Sequence, residues 1–121
     1  MAIDLKTRTK DFALEIIRLY ATLPRRTEAQ VLGRQVLRSG TSVGAHYREA
    51  QRAKSNADFI SKIEGGLQEL EESQYWVELL GESRLVAQDF LAPLRREANE
   101  LTAIFVSIVN KAKRNNKSRK G

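Results

Sequence analysis

Cysteine is absent from this 121-residue chain, which excludes disulfides, thiolate nucleophiles and cysteine-ligated metal. Histidine occurs once, at His46. A di-iron bundle needs two Glu-x-x-His pairs pointing inward, and here the nearest pair, His46 and Glu49, runs in the reverse order. No Ser or Cys stands at a telling distance from His46, so nucleophilic catalysis has no partner residues. Long apolar runs are missing too: nothing approaches the roughly 20 residues that span a bilayer. The start, Met-Ala-Ile-Asp-Leu-Lys, lacks the apolar core of a signal peptide, and a cytoplasmic protein is expected. Asn-Gly and Asp-Gly turns are lacking, as are alternating apolar and polar stretches, so no strand competes. Gly65-Gly66 has neither the preceding strand nor the lysine of a phosphate loop. The expectation is a protein without enzymatic activity, metal or cofactor.

What is present is charge, unevenly placed. Residues 1–54 hold 11 Lys/Arg against 5 Asp/Glu, and residues 55–100 hold 4 against 10. Residues 101–121 hold 6 basic and no acidic residues. The overall +6 therefore comes from two basic segments around an acidic one. The terminal cluster, including Lys111, Lys113, Arg114 and Lys117, suits either a solvated terminus or a phosphate-binding tail.

Apolar spacing predicts four helices, over about 4–22, 28–53, 56–82 and 87–113. Phe12, Ile16, Leu19, Tyr20 and Leu23 form the first stripe, and Pro24 stops it. Thr27-Glu-Ala-Gln30 reads as a capping box for the second helix, and Ser55-Asn-Ala-Asp58 as one for the third. The second helix carries Leu32, Val36, Ser39, Val43 and Ala50 on one face. Gly40 and Gly44 within it predict close backbone approach or a kink. The third stripe is Phe59, Ile63, Leu67, Leu70, Val77 and Leu80. The fourth is Leu94, Ala98, Leu101, Phe105, Ile108 and Ala112, with Pro93 marking its first turns or a kink. Short connections make this an all-α, antiparallel up-and-down four-helix bundle over residues 1–114, followed by a basic flexible tail over 115–121.

Two charged stripes stand out. At about 100° per residue, Arg34, Arg38, Arg48 and Arg52 share one side of the second helix. Glu64, Glu71, Glu78 and Glu82 share one side of the third. Three uses are open: ion pairs within the bundle, ion pairs between subunits involving Arg48, Glu49, Glu64, Glu71 and Glu78, or phosphate contact by the arginines. Tyr75-Trp76 reads as filler of core or interface, with stacking on bases as the other use.

The run from Val31 to Ala50, with Arg-Ser-Gly-Thr-Ser-Val-Gly-Ala-His-Tyr-Arg-Glu-Ala at its centre, resembles a bacterial four-helix-bundle family. So do Lys54-Ser-Asn-Ala-Asp-Phe-Ile-Ser-Lys62 and Glu72-Ser-Gln-Tyr-Trp-Val-Glu-Leu-Leu80. That family includes the proteins encoded in intervening sequences of 23S ribosomal RNA genes, and the accessory protein of the reverse transcriptase of diversity-generating retroelements. The resemblance implies a ring-shaped homopentamer with a basic surface, RNA or DNA as partner and, in the accessory branch, a reverse transcriptase. Two departures accompany it: His46 replaces an asparagine typical of close members, and Gly65-Gly66 replaces better helix formers.

Overall fold

Four helices account for nearly all of the chain: α1 (Leu5–Thr22), α2 (Thr27–Gln51), α3 (Asn56–Glu82) and α4 (Gln88–Lys120). The computed structural model describes the backbone of residues 4–120 and the side chains of residues 4–115. Each helix packs on the next in the sequence, and α4 returns to α1, giving the up-and-down bundle. The α2–α3 seam is the most extensive and the α1–α4 seam the thinnest.

The apolar stripes become the core. Phe12, Ile16, Leu19, Val36, Val43, Ile63, Leu70, Leu80, Leu101 and Phe105 are buried. Leu91 and Val109 of α4 join them, whereas Ile108 is only partly buried. Gly40 and Gly44 lie against α1. A Cβ at Gly40 would come within 2.6 Å of Ile16 Cγ1, and one at Gly44 within 3.1 Å of Thr9 Oγ1. Close approach, not a break, is their role, since α2 runs unbroken through both.

The ends show where local signals held. Ser55 caps α3, its hydroxyl accepting from the Asp58 N–H at 3.0 Å. The Asp58 carboxylate reaches one residue further back than a capping box requires, to the Lys54 N–H. At α2 the expected box does not form. Arg26 occupies the cap position with no side-chain hydrogen bond, and Thr27 is already helical. The Gln30 amide instead donates to the Pro24 carbonyl at 3.0 Å and accepts from the Tyr20 hydroxyl at 3.3 Å. The extended chain after Pro24 brings that carbonyl within reach, so Gln30 ties the α1–α2 connection rather than the helix end. Pro93 lies in the second turn of α4, which begins at Gln88.

One boundary differs more. The helix does not stop at 113: α4 continues to Lys120, through residues that the sequence pattern assigns to a tail. No glycine or proline interrupts residues 94–120. Lysines and arginines near a helix C-terminus also interact favourably with its negative dipole end.

Candidate nucleic-acid interface

Antiparallel connection decides which charges meet. The C-terminal end of α2, the N-terminal end of α3 and the distal part of α4 lie at the same end of the bundle. The Asn56 side-chain amide donates to the Ala112 carbonyl at 2.9 Å, and Lys113 Nζ stands 3.3 Å from a Glu64 carboxylate oxygen. Arg48, Arg52 and Lys54 are exposed at this end, as are Lys111, Lys113 and Arg114 of α4. Half of the arginine stripe and the basic cluster from the far end of the sequence thus lie at one end of the bundle, on helices whose backbones do not pack against each other. The Lys117 side chain lies outside the described residues.

The stripe itself divides. Arg38 is tied to α3, with 3.1 Å to Glu69 and 2.6 Å to Glu72. Hydrogen bonding to Glu72 and the charge of Glu69 hold its guanidinium pKa above the ordinary value. Arg34, Arg48 and Arg52 have no ion-pair partner among the described residues. Arg34 sits some 18 residues, or about 27 Å, before Arg52 and so belongs to the opposite end.

The intramolecular seam therefore uses other acids than the sequence pattern selected. Glu64, Glu71 and Glu78 do not meet the α2 arginines. They lie toward α4, the flank on which Gln74 Nε2 donates to Thr102 Oγ1 at 3.0 Å and Glu64 meets Lys113. The flank toward α2 carries Glu69, Glu72 and Ser73. Stripe membership was legible, but the helix's rotation against its two neighbours was not. Glu49 is 3.7 Å from Lys62 on the α2–α3 seam, and Glu71 and Glu78 are exposed without a basic partner among the described residues. A further clasp carries no sequence signal. Arg8 of α1 reaches Glu97 through Nε at 3.0 Å and a terminal nitrogen at 2.5 Å, and Glu100 at 3.1 Å. The hydrogen bond to Glu97 raises the Arg8 pKa against a smaller desolvation effect.

The two departures in the sequence are one contact. The His46 ring lies over Gly65, where a Cβ would stand 2.8 Å from Cε1 and 2.9 Å from Nδ1. Nδ1 is buried and has no hydrogen bond, its nearest acid being Glu49 Oε1 at 3.9 Å. A side chain at position 65 would occupy the ring's place. Trp76 packs partly buried against the core with its Nε1 unpartnered, while Tyr75 is half exposed beside it at 5.1 Å. Among the described residues no cluster of His, Asp or Glu is grouped to hold a metal ion. No described helix is long and apolar enough to cross a membrane.

Residues 2–107 match the family model described as 23S rRNA-intervening sequence protein. A solved structure of a protein with unknown function from the S23 ribosomal protein family of Bacteroides thetaiotaomicron is 36% identical. It superposes with a TM-score of 0.81 over 86% of this chain and 96% of that one. Among curated proteins, none matches this chain.

Proposed function

This chain belongs to the 23S rRNA-intervening sequence protein family, and from that premise we propose that it is a non-catalytic protein that binds structured RNA through the basic end of its bundle. The observation that carries the reading is the gathering of Arg48, Arg52, Lys54, Lys111 and Arg114 at one end with no acidic partner among the described residues. Unpaired guanidinium groups suit bidentate contact with phosphate, and the exposed Lys111 and Arg114 of α4 add basic charge at the same end. Binding of this kind weakens steeply as salt rises. Electrophoretic shift with a structured RNA tests it. Arg48→Glu/Arg52→Glu should lose at least tenfold in affinity and flatten the salt dependence, while Arg34→Glu, at the other end, should change little. Equal losses from both would remove the basic end as the site.

A second reading concerns assembly. Arg48 on one side and Glu71 and Glu78 on another are exposed half-pairs. Self-association as a ring, the homopentamer that the resemblance implies, would join such halves head to tail. Arg48→Glu would then lower the mass seen in sedimentation. A wild-type monomer at micromolar concentration would discard this reading. DNA, and a reverse transcriptase as in the accessory branch, are further partners that the resemblance proposes for the same surface.

A further inference from the structure

The thin seam between α1 and α4 leaves an open groove of about 530 Å³ at the half of the bundle away from the basic end. Its floor is apolar: Leu19 is buried beneath it, and Phe90 and Pro93 line it from α4. Phe90 is 54% exposed on the wall of this groove. Around this floor stand the carboxylates of Asp11, Asp89 and Glu97. Glu97 is held by Arg8, and Glu15, also on the rim, pairs with Arg18. Asp11 and Asp89 have no basic partner among the described residues. A chain of net charge +6 thus surrounds this open apolar groove with acidic side chains.

We propose that this groove is a docking site for a basic amphipathic helix of a partner protein. The reasoning is one of complementarity. An apolar groove between two helices takes the apolar face of a third, read as anchors at i, i+3 or i+4, and i+7. Rim carboxylates without counter-charges select lysine or arginine flanking those anchors and repel an acidic helix. Phe90 is the central anchor because it is large, aromatic and half exposed, so docking removes apolar area that folding leaves in water. This site lies at the other end of the bundle from the RNA-binding surface, and it stands or falls independently of it.

The probe is a fluorescein-labelled 16-residue helical peptide with leucines on one face and lysines elsewhere, with a glutamate-for-lysine version as control. Fluorescence anisotropy with the full chain at low salt should give micromolar binding of the lysine peptide and none of the control. Phe90→Ala should weaken it at least fivefold. Asp11→Lys/Asp89→Lys should weaken it similarly and reduce its salt dependence. Both variants alter exposed side chains, and circular dichroism checks that they remain folded. Absent binding, or binding unchanged in both variants, overturns the proposal. So does sedimentation in which Phe90→Ala dissociates an oligomer of the wild-type chain, because the occupant would then be a second copy.

Discussion

The α2–α3 seam and the α1–α4 seam join helices of the same kind in opposite ways. Across the first, buried Ser39 and Ser73 bring their hydroxyls within 2.8 Å, the His46 ring lies on a glycine, and Arg38 clasps two glutamates at the edge. Across the second, contact thins to the Arg8–Glu97 clasp and a groove that leaves Phe90 half exposed. Small residues let the first pair of backbones approach closely, whereas the second pair leaves volume open between them. The tight seam supplies stability, and the loose one supplies surface. Mutations of like chemistry placed on the two seams should therefore have unlike costs.

The widest gap is expected for truncation of a large apolar residue. Leu70→Ala should destabilise by about 2–5 kcal/mol in urea unfolding, since a fully buried side chain leaves a cavity. Phe90→Ala should cost less than about 1 kcal/mol, because most of its area is already in water. Equal costs would show that α4 packs differently at its start.

Next comes the serine pair. Ser39→Ala or Ser73→Ala alone should cost about 1–2 kcal/mol by leaving a buried hydroxyl short of a partner. The double variant should cost less than the sum, measured as a double-mutant cycle. Additive costs would mean that the two hydroxyls do not depend on each other.

His46 and Gly65 should also be coupled. Gly65→Ala alone gains helix propensity but displaces the imidazole. With His46→Asn the same change should recover close to the full value of about 1 kcal/mol. Thermal unfolding of the four combinations reads the difference.

The clasps are weaker still. Arg38→Ala and Arg8→Ala should each cost about 0.2–1 kcal/mol, less at high salt, because both side chains keep much of their water. If the α1–α4 seam rests on its clasp, Arg8→Ala should also speed hydrogen exchange in the first half of α1, whereas Arg38→Ala should leave α2 and α3 protected.

A smaller effect is expected at the start of α1. The Asp4 carboxylate accepts from the Thr7 hydroxyl and the Thr7 N–H, and both bonds lower its pKa below the ordinary value. Its contribution is complete above the unfolded-state pKa and is lost as pH falls through the lower folded value. Amide exchange in the first turn of α1 should therefore rise only in strong acid, and Asp4→Asn should remove that dependence while keeping the cap.

Much of this architecture is legible in a one-dimensional pattern. Four stripes at helical spacing named most of the core of α1 to α4, missing Leu5, Ala29, Leu91 and Val109, because periodicity decides which residues can share a face. Ser55 announced the start of α3, and the small residues of α2 announced close packing. The misreadings have a common origin. Thr27 looks like a cap until Pro24 offers Gln30 a better partner. Glu64, Glu71 and Glu78 look like the match for the arginines until the rotation of α3 presents Glu69 and Glu72 instead. The groove at Phe90 has no signature, since an exposed aromatic beside a buried stripe reads like any other near-core residue.

By itself, then, the sequence determined the fold class, the helix faces, the absence of cysteine chemistry and the charge of each segment. Those properties follow from local spacing and composition. Only the tertiary structure decided which charges stand together: Arg48 and Arg52 at the end of the bundle where α4 finishes, Arg38 paired with α3, and Asp11 and Asp89 around one open groove. Residues far apart in the chain become neighbours through the direction and rotation of whole helices. Those are set by packing over the entire core and are written in no single segment.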